Sequence, residues 1–424
     1  MRSASVRDGR GNEEIVTFDE ALEIVLAQAE QVSRPAIETV KLTGSFGRIL
    51  GKAVAADRDQ PPFDRSTRDG YAVRAEDAME RTWLAVEGEI AAGARWDKPL
   101  LPDQAVAIMT GAPVPDDADA VVMLEHVDRS GLHSKAAIRL MEGRKIEAGE
   151  NIVPRASEAR AGDVVLEPGT TLDPAAVALA AACGAQILEV FAKPRVSIVA
   201  TGDELVDVMD TPGPQQIRNS NSYGLAALVN AAGGIPLQLP VAPDRREALE
   251  TSIRQARGAD LMLLTGGVSM GEYDLVEEVL LEMGAKFFFT GVKMQPGKPV
   301  VFGQLPQDDR TPAVYFFGLP GNPVSTQVTF ACFVAPLLKA LGGCMAEGPP
   351  FAQATLVDDV EPRKAITRVL PARLSPTRAR PEVRLVVWQG SGDMAANARA
   401  NCYAVLPGDV AHFRPGDVIT ILLR

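Results

Sequence analysis

A chain of 424 residues, 46% hydrophobic and 23% charged, has the composition of an ordinary soluble protein and is long enough for two to four domains. Its net charge of −12 argues against a general binder of nucleic acid or of anionic membranes, since both reward a cationic face. Any anionic substrate must therefore be held by local cations and backbone N–H groups.

In chain order, the first element is a helix over 17–32. Leu22, Val25, Leu26, Ala29 and Val32 recur at helical spacing, and Thr17 with Glu20 forms a capping box. Between about 60 and 190, short apolar runs alternate with Gly, Pro and Asp, which reads as small β-rich subdomains; 174–184 reads as a helix ending in a glycine cap. From 195 to 341 strands and helices alternate: strands at 196–200, 235–241 and 261–264, helices at 223–232, 246–257 and 273–283, then two further β-like runs and a long helix over 324–341. That alternation predicts a mostly parallel, doubly wound sheet with ligands at the carboxyl ends of its strands. After Gly342-Gly343 short strands return near 354–357, 366–370, 384–387, 402–406 and 418–423, predicting a small β-barrel. The expected fold class is thus α/β plus β-rich domains. Its parts are a composite N-terminal region at 1–190 with a leading helix and β-rich subdomains (roughly 55–150 inserted), an α/β substrate and metal-binding domain at 191–345, and a barrel domain at 346–424. The cysteines Cys183, Cys332, Cys344 and Cys402 form no C-x-x-C pair, and His126, His133 and His412 are too scattered to mark a metal cluster. With no apolar leader core and no apolar run of about 18 residues, the expected compartment is the cytoplasm.

Two glycine-proline segments follow β-like runs: 292–299, V-K-M-Q-P-G-K-P, and 318–323, G-L-P-G-N-P. Upstream, the apolar run 261–264 empties into T-G-G-V-S-M-G at 265–271 and then Glu272, Tyr273 and Asp274. A strand that ends in glycines and opens a helix leaves backbone N–H groups free to hold an anion. Carboxylates in such a loop repel a bare phosphate and imply a cation between them, most simply Mg²⁺ with oxygen ligands. Glu204, Asp244 and Asp274 each follow a strand and are expected to meet at one edge of the sheet. Each also has a plainer reading: Asp203 or Glu204 and Asp244 as helix caps, Asp274 as a solvated acid of a first helical turn. Lys293 and Lys298 read as anion-binding cations or as surface residues, and Pro296, Pro320 and Pro323 as site residues or as turn formers.

Seven ordered motifs resemble one family. They are Pro61-Pro62-Phe63-Asp64 with Asp69-Gly70-Tyr71-Ala72; Met109-Thr110-Gly111-Ala112; Thr201-Gly202-Asp203-Glu204-Leu205; Ile217-Arg218-Asn219-Ser220-Asn221; Thr265-Gly266-Gly267-Val268-Ser269 with Asp274; Pro296-Gly297-Lys298-Pro299; and 318–323. Over nearly its whole length the chain resembles the molybdopterin molybdenumtransferases, relatives of the gephyrin E domain. The resemblance implies that adenylated molybdopterin loses AMP while molybdate enters its dithiolene in a Mg²⁺-dependent step. It also implies a homodimer of four-domain subunits, in which Asp69 and Thr110 of one subunit face the α/β loops of the other. By the same resemblance Asp69, Thr110, Glu204, Asp244 and Asp274 are catalytic, with Glu204 and Asp274 as metal ligands. Ser220, Asn221, Gly266, Gly267, Ser269, Lys293, Gly297, Lys298, Pro320, Gly321, Asn322 and Pro323 bind substrate, and Arg368, Arg373 and Ser391 hold the pterin and phosphate end. For any single arginine a solvated barrel surface is the alternative. Further partners would be the adenylyltransferase and the recipient molybdoenzymes. Gln295 departs from the family's usual lysine, and Glu158 from a common aspartate. Two other functions fit parts of the chain: a molybdopterin adenylyltransferase, which the α/β region alone resembles, and a gephyrin-like scaffold.

Overall fold

Thr17 opens the first helix, α1 (Phe18–Ala29), through a reciprocal capping box: Thr17 Oγ1 accepts from the Glu20 N–H at 3.3 Å, and Glu20 Oε2 accepts from the Thr17 N–H at 2.8 Å. Its buried stripe of Phe18, Ala21, Val25 and Ala29 follows the 3.6-residue period read from the sequence, and Phe18 lies 5.6 Å from Phe333 between ring centroids. The computed structural model describes residues 15–80, 82–132, 135–266, 275–361, 365–375, 377 and 380–424. The chain divides into two compact units, one of Met1–Thr39, Gly47–Gly51 and Glu189–Arg424, the other of Val40–Phe46 and Lys52–Leu188.

The first unit holds α1, an α/β sheet and a barrel. The sheet's strands are β1 (Arg195–Ala200), β2 (Ile235–Gln238), β3 (Leu261–Thr265), β4 (Lys286–Phe289), β5 (Val301–Leu305) and β6 (Val314–Leu319), in the order β2-β1-β3-β6-β5-β4. The pairings from β2 through β6 are parallel, and β5 runs antiparallel to both its neighbours. The sheet is therefore mixed, with β5 alone reversed among these six strands. Helices α2 (Ser220–Ala231), α3 (Arg246–Ala256) and α4 (Leu275–Glu282) connect the parallel strands. All five residues of β3 are buried, because the sheet is covered on both faces. Leu261 and Leu263 pack with α1 and α2 residues on one face, while Met262 and Leu264 pack with α3 and α4 residues on the other.

The helix expected over 324–341 is divided. It runs as α5 (Pro323–Thr329), a π-helical stretch Phe330–Val334 and α6 (Ala335–Leu341). Pro336 supplies the reason: it has no N–H for the Cys332 carbonyl and its ring clashes there, so the backbone widens by one residue. This 19-residue span has the length and apolarity of a membrane-crossing helix, but 72% of its apolar window is buried inside the fold, as a core helix is.

The barrel consists of β7 (Phe351–Leu356), β8 (Thr367–Ser375), β9 (Glu382–Leu385), β10 (Cys402–Leu406) and β11 (Val418–Leu423). The order β8-β9-β7-β11-β10 closes through a β8–β10 pairing, around Leu356, Leu370, Val383, Leu406 and Ile421. Sequence reading missed α7 (Met394–Arg399), whose six residues sit between β9 and β10.

The second unit is built on a six-stranded sheet in the order Ala120–Met123, Gly70–Val73, Gln104–Ile108, Leu84–Ile90, Lys135–Leu140, Val127–Leu132. Beside it, Arg65–Ser66 pairs with Ile152–Val153 and Val54–Ala55 with Val164–Leu166. The helix Pro174–Ala182 is capped by Asp173, which accepts from the Ala176 N–H at 2.8 Å, and Gly184 beyond it has a φ of +72°.

Candidate functional site at the carboxyl edge of the sheet

After β1 the chain moves outward to β2 and then returns to β3 on the other side of β1. Such a reversal leaves a crevice beyond the carboxyl ends of the two central strands. The register pairs Ala200 with Thr265 and Thr265 with Leu319, so three loops leave the sheet side by side, beginning at Thr201, Gly266 and Pro320. The 296–299 segment reaches this edge by a different route. It precedes its strand, but β5 is reversed and Val301 pairs with Gly318, so the amino end of β5 lies at the same edge.

Two contacts hold the loops together. Gly266 has a φ of +89°, and a Cβ there would fall 2.1 Å from the Thr201 carbonyl oxygen, so only glycine allows the ends of β1 and β3 this close approach. Asn221, in the first turn of α2, donates through Nδ2 to Thr265 Oγ1 at 3.0 Å and to the Gly321 carbonyl at 2.8 Å. The structure thus brings Ser220, Asn221, Gly266, Pro320, Gly321, Asn322 and Pro323 to one place. Asn219 is the N-cap that starts α2 here, accepting from the Ser222 N–H at 3.2 Å.

The acidic residues are arranged differently from the expected trio. Asp244 accepts from the Thr201 hydroxyl at 2.5 Å and from the Asp203 N–H at 3.4 Å, and Asp203 accepts in return from the Asp244 N–H at 3.2 Å. Asp244 therefore pairs with Asp203 and does not cap α3, whose N-cap is Arg245 with no side-chain hydrogen bond. No helix follows Asp203 or Glu204, because the chain continues into the short strand Leu205–Val206. The Glu204 carboxylate folds back over Gly202, where a Cβ would meet its Oε2 at 2.5 Å. Asp274, Gly267 and Ser269 lie outside the described residues. Among the described residues no group of three His, Cys, Asp or Glu forms a ready metal cage.

The barrel contributes along the same edge. The short strand Met294–Gln295 pairs in parallel with β8, placing Gln295 opposite Arg368. Gln295 Oε1 is buried without a hydrogen-bond partner, and Arg368 Nη1 donates to the Glu361 carbonyl at 3.4 Å. The Ser391 carbonyl accepts from the Val324 N–H at 3.0 Å, immediately beyond the 318–323 loop. Arg373 does not join them. It lies five residues from Arg368 on β8, roughly 17 Å along the strand and at opposite parity, and it donates to the Arg399 carbonyl at 3.4 Å. Gly297 and Pro296 are buried, Gly297 beside Thr329 and Met294, whereas Lys293 and Lys298 are exposed. The Lys298 carbonyl accepts from the Val292 N–H at 2.9 Å, closing the loop on itself. Lys293 acts on α1: Glu20 is held below the usual carboxylate range first by its bonds from Thr17 and to a lesser extent by the Lys293 charge.

In the second unit, Asp69 and Thr110 come together. Asp69 Oδ1 accepts from the Thr110 N–H at 2.7 Å and from its hydroxyl at 2.9 Å, which lowers the Asp69 pKa, the N–H contributing most. Glu158 forms an exposed ion pair with Arg65 at 3.3 Å. Sequence reading missed the part played by Thr201 and Thr265 and the pairing of Asp203. The repeated Thr-Gly after β1 and β3 was the available signal, since two neighbouring parallel strands that end alike present the same groups at the same edge.

Fold and site together define an α/β protein with glycine-rich loops at a sheet's carboxyl edge, joined to a closed five-stranded barrel. Residues 16–184 match the MoeA N-terminal region (domain I and II), 197–340 a probable molybdopterin binding domain, and 353–423 the MoeA C-terminal region (domain IV). The chain is 34% identical over 419 residues to the molybdopterin molybdenumtransferase of Staphylococcus aureus (strain Mu50), covering 96% of this chain and 95% of that one. It is 32% identical over 419 residues to the Staphylococcus epidermidis protein of the same name, with the same coverage. Two crystal structures of a molybdopterin biosynthesis moeA protein from Pyrococcus horikoshii share its fold. One has a TM-score of 0.72 at 30% identity, covering 97% of this chain and 99% of that one; the other has a TM-score of 0.78 at 28%, covering 97% and 100%. The chain belongs to the molybdopterin molybdenumtransferase family.

Proposed function

We propose that this protein inserts molybdate into adenylated molybdopterin with release of AMP, as a Mg²⁺-dependent cytoplasmic transferase and as a homodimer. The observation that carries this reading is the convergence of three strand-end loops, tied together by Asn221, with the barrel's Arg368 and Ser391 brought to the same edge. N–H groups of the Gly266 and 318–323 loops would receive phosphate oxygens, and Lys298 and Arg368 would offset the charge of two anions brought close together. Asn221 orients the loops, and Asp244 holds the Thr201 hydroxyl in place.

Among the described residues, the acids at this edge, Asp203, Glu204 and Asp244, are exposed carboxylates, a hard oxygen donor set that suits Mg²⁺ and not a soft metal. Glu204 and Asp274 would hold the ion. When bound, it would neutralise charge developing on the phosphoanhydride. Asp69 and Thr110 would act on the active site of the partner copy, with Asp69 kept ionised by the Thr110 N–H.

The test supplies purified protein with adenylated molybdopterin, molybdate and Mg²⁺, and follows AMP release and protein-bound molybdenum. AMP release matched in stoichiometry by molybdenum uptake supports the reading. Accumulation of adenylated pterin from molybdopterin and ATP would replace it with an adenylyltransferase, and absence of either reaction alongside receptor-peptide binding would replace it with a scaffold.

A further inference from the structure

Gln327 lies on α5, one turn beyond the 318–323 loop, and three segments converge on it. Its Oε1 accepts from Asn397 Nδ2 at 2.8 Å and from Arg424 Nη2 at 3.5 Å. Its Nε2 lies 3.8 Å from where a Cβ on Gly224 of α2 would stand. Arg424 also donates through Nη1 to the carbonyls of Asn397 at 2.7 Å and Ala400 at 3.2 Å, at the carboxyl end of α7. The Asn397 carbonyl also accepts from the Ala400 N–H at 3.1 Å, and carbonyls at a helix's carboxyl end favour a cation. The guanidinium lies 5.2 Å from the centre of the Tyr403 ring on β10.

The other end of α7 leads back to the site. Asp393 caps it, accepting from the Ala396 N–H at 3.0 Å and the Gln389 N–H at 3.0 Å, and so shapes the turn that contains Ser391. The carbonyl of Ser391 takes the N–H of Val324, in the first turn of α5. A helix of six residues is not stable by itself, so the position of α7, and with it that of the Ser391 turn, depends on these anchors.

We propose that Arg424, acting through Gln327 and Asn397, is a positioning residue that holds the Ser391 turn against the 318–323 loop and sets how the barrel presents that turn to the substrate. The part concerning substrate rests on the function proposed above.

The test compares Arg424→Ala and Arg424→Lys in the full-length protein by two readouts. Hydrogen exchange, which needs no activity, is expected to be about tenfold faster at Val324 and Ala396 in Arg424→Ala, the factor that loss of a hydrogen bond to a charged donor supports, with the amides of β1 and β3 unchanged. Arg424→Lys keeps a cation at the α7 carbonyls but lacks the fork that also reaches Gln327, so its exchange should fall between the two. In AMP release, KM for adenylated molybdopterin should rise about tenfold in Arg424→Ala with kcat nearly unchanged, a split that general destabilisation does not produce. Unchanged exchange at Val324 overturns the proposal. Faster exchange with an unchanged KM overturns the role in presenting substrate, while faster exchange in a protein whose wild type releases no AMP upholds the structural coupling and overturns the proposed function instead.

Discussion

Replacing Gly266 by alanine tests the close approach on which the site is built, and Gly233 provides its control. The two glycines have nearly the same φ, +89° and +90°. A Cβ on Gly266 would stand 2.1 Å from the Thr201 carbonyl oxygen, whereas one on Gly233 would meet nothing within 4 Å. Backbone strain from the positive φ is therefore common to both variants and costs about 1–2 kcal/mol. Only Gly266→Ala adds steric overlap, which forces the ends of β1 and β3 apart at a cost of about 1–3 kcal/mol more. Gly233→Ala should then lose about 1–2 kcal/mol and Gly266→Ala about 2–5 kcal/mol, the difference being the close approach itself. Native-state hydrogen exchange of the β1 and β3 amides is the suitable assay, because it reports opening of this sheet without assuming a single transition for both units. Gly266→Ala should also abolish AMP release while Gly233→Ala retains it. Equal losses of protection in the two variants would refute the reasoning.

Removing the Asn221 side chain as Asn221→Ala deletes two neutral hydrogen bonds, and should cost about 1–3 kcal/mol in the same exchange measurement and raise KM for the adenylated substrate. The folded pKa of Asp69 is depressed, so its contribution to stability is present above the unfolded value of about 3.9 and is lost as pH falls through the folded pKa. Carboxyl NMR titration should show Asp69 below the usual range, and Thr110→Val should return it only part of the way, because the backbone N–H remains; an ordinary value in the wild type would contradict the geometry. Chelation should stop AMP release and Mg²⁺ should restore it, with Asp274→Asn needing a higher Mg²⁺ concentration; a wild-type rate and Mg²⁺ titration in that variant would remove Asp274 as a ligand. At a Mg²⁺ concentration too low to rescue Asp274→Asn, mixing that variant with inactive Asp69→Asn should recover part of the activity through hybrid dimers, and no recovery after verified subunit exchange would count against a shared site.

Much of the fold was legible because its signals are local. The Thr17–Glu20 capping box, the alternation of strands and helices after Arg195, and the five short barrel strands each arise from spacing within about a dozen residues. Helix ends were read less well: α2 begins at Ser220, three residues before its apolar pattern, because Asn219 caps it. The division of the last core helix was also local in origin, since Pro336 stands in the sequence, but the expected helix passed over it. The short α7 carries no apolar period and is held by side chains from distant segments, so no local signal marked it.

For the candidate site, the sequence by itself marked which loops leave strand ends: glycines and prolines after apolar runs mean strand ends with accessible backbone, wherever the strands lie. Which residues meet was decided by tertiary structure. Strand order placed β1, β3 and β6 side by side, reversal of β5 brought Pro296 and Gly297 to the same edge, and closure of the barrel brought Arg368 and Ser391 there while leaving Arg373 at the far end of β8. Asp244 likewise found Asp203 across 41 positions of sequence. Propensity acts over one or two turns of chain, whereas strand order and register are set by the burial of whole faces, and it is the second that fixes which distant side chains come within hydrogen-bonding reach.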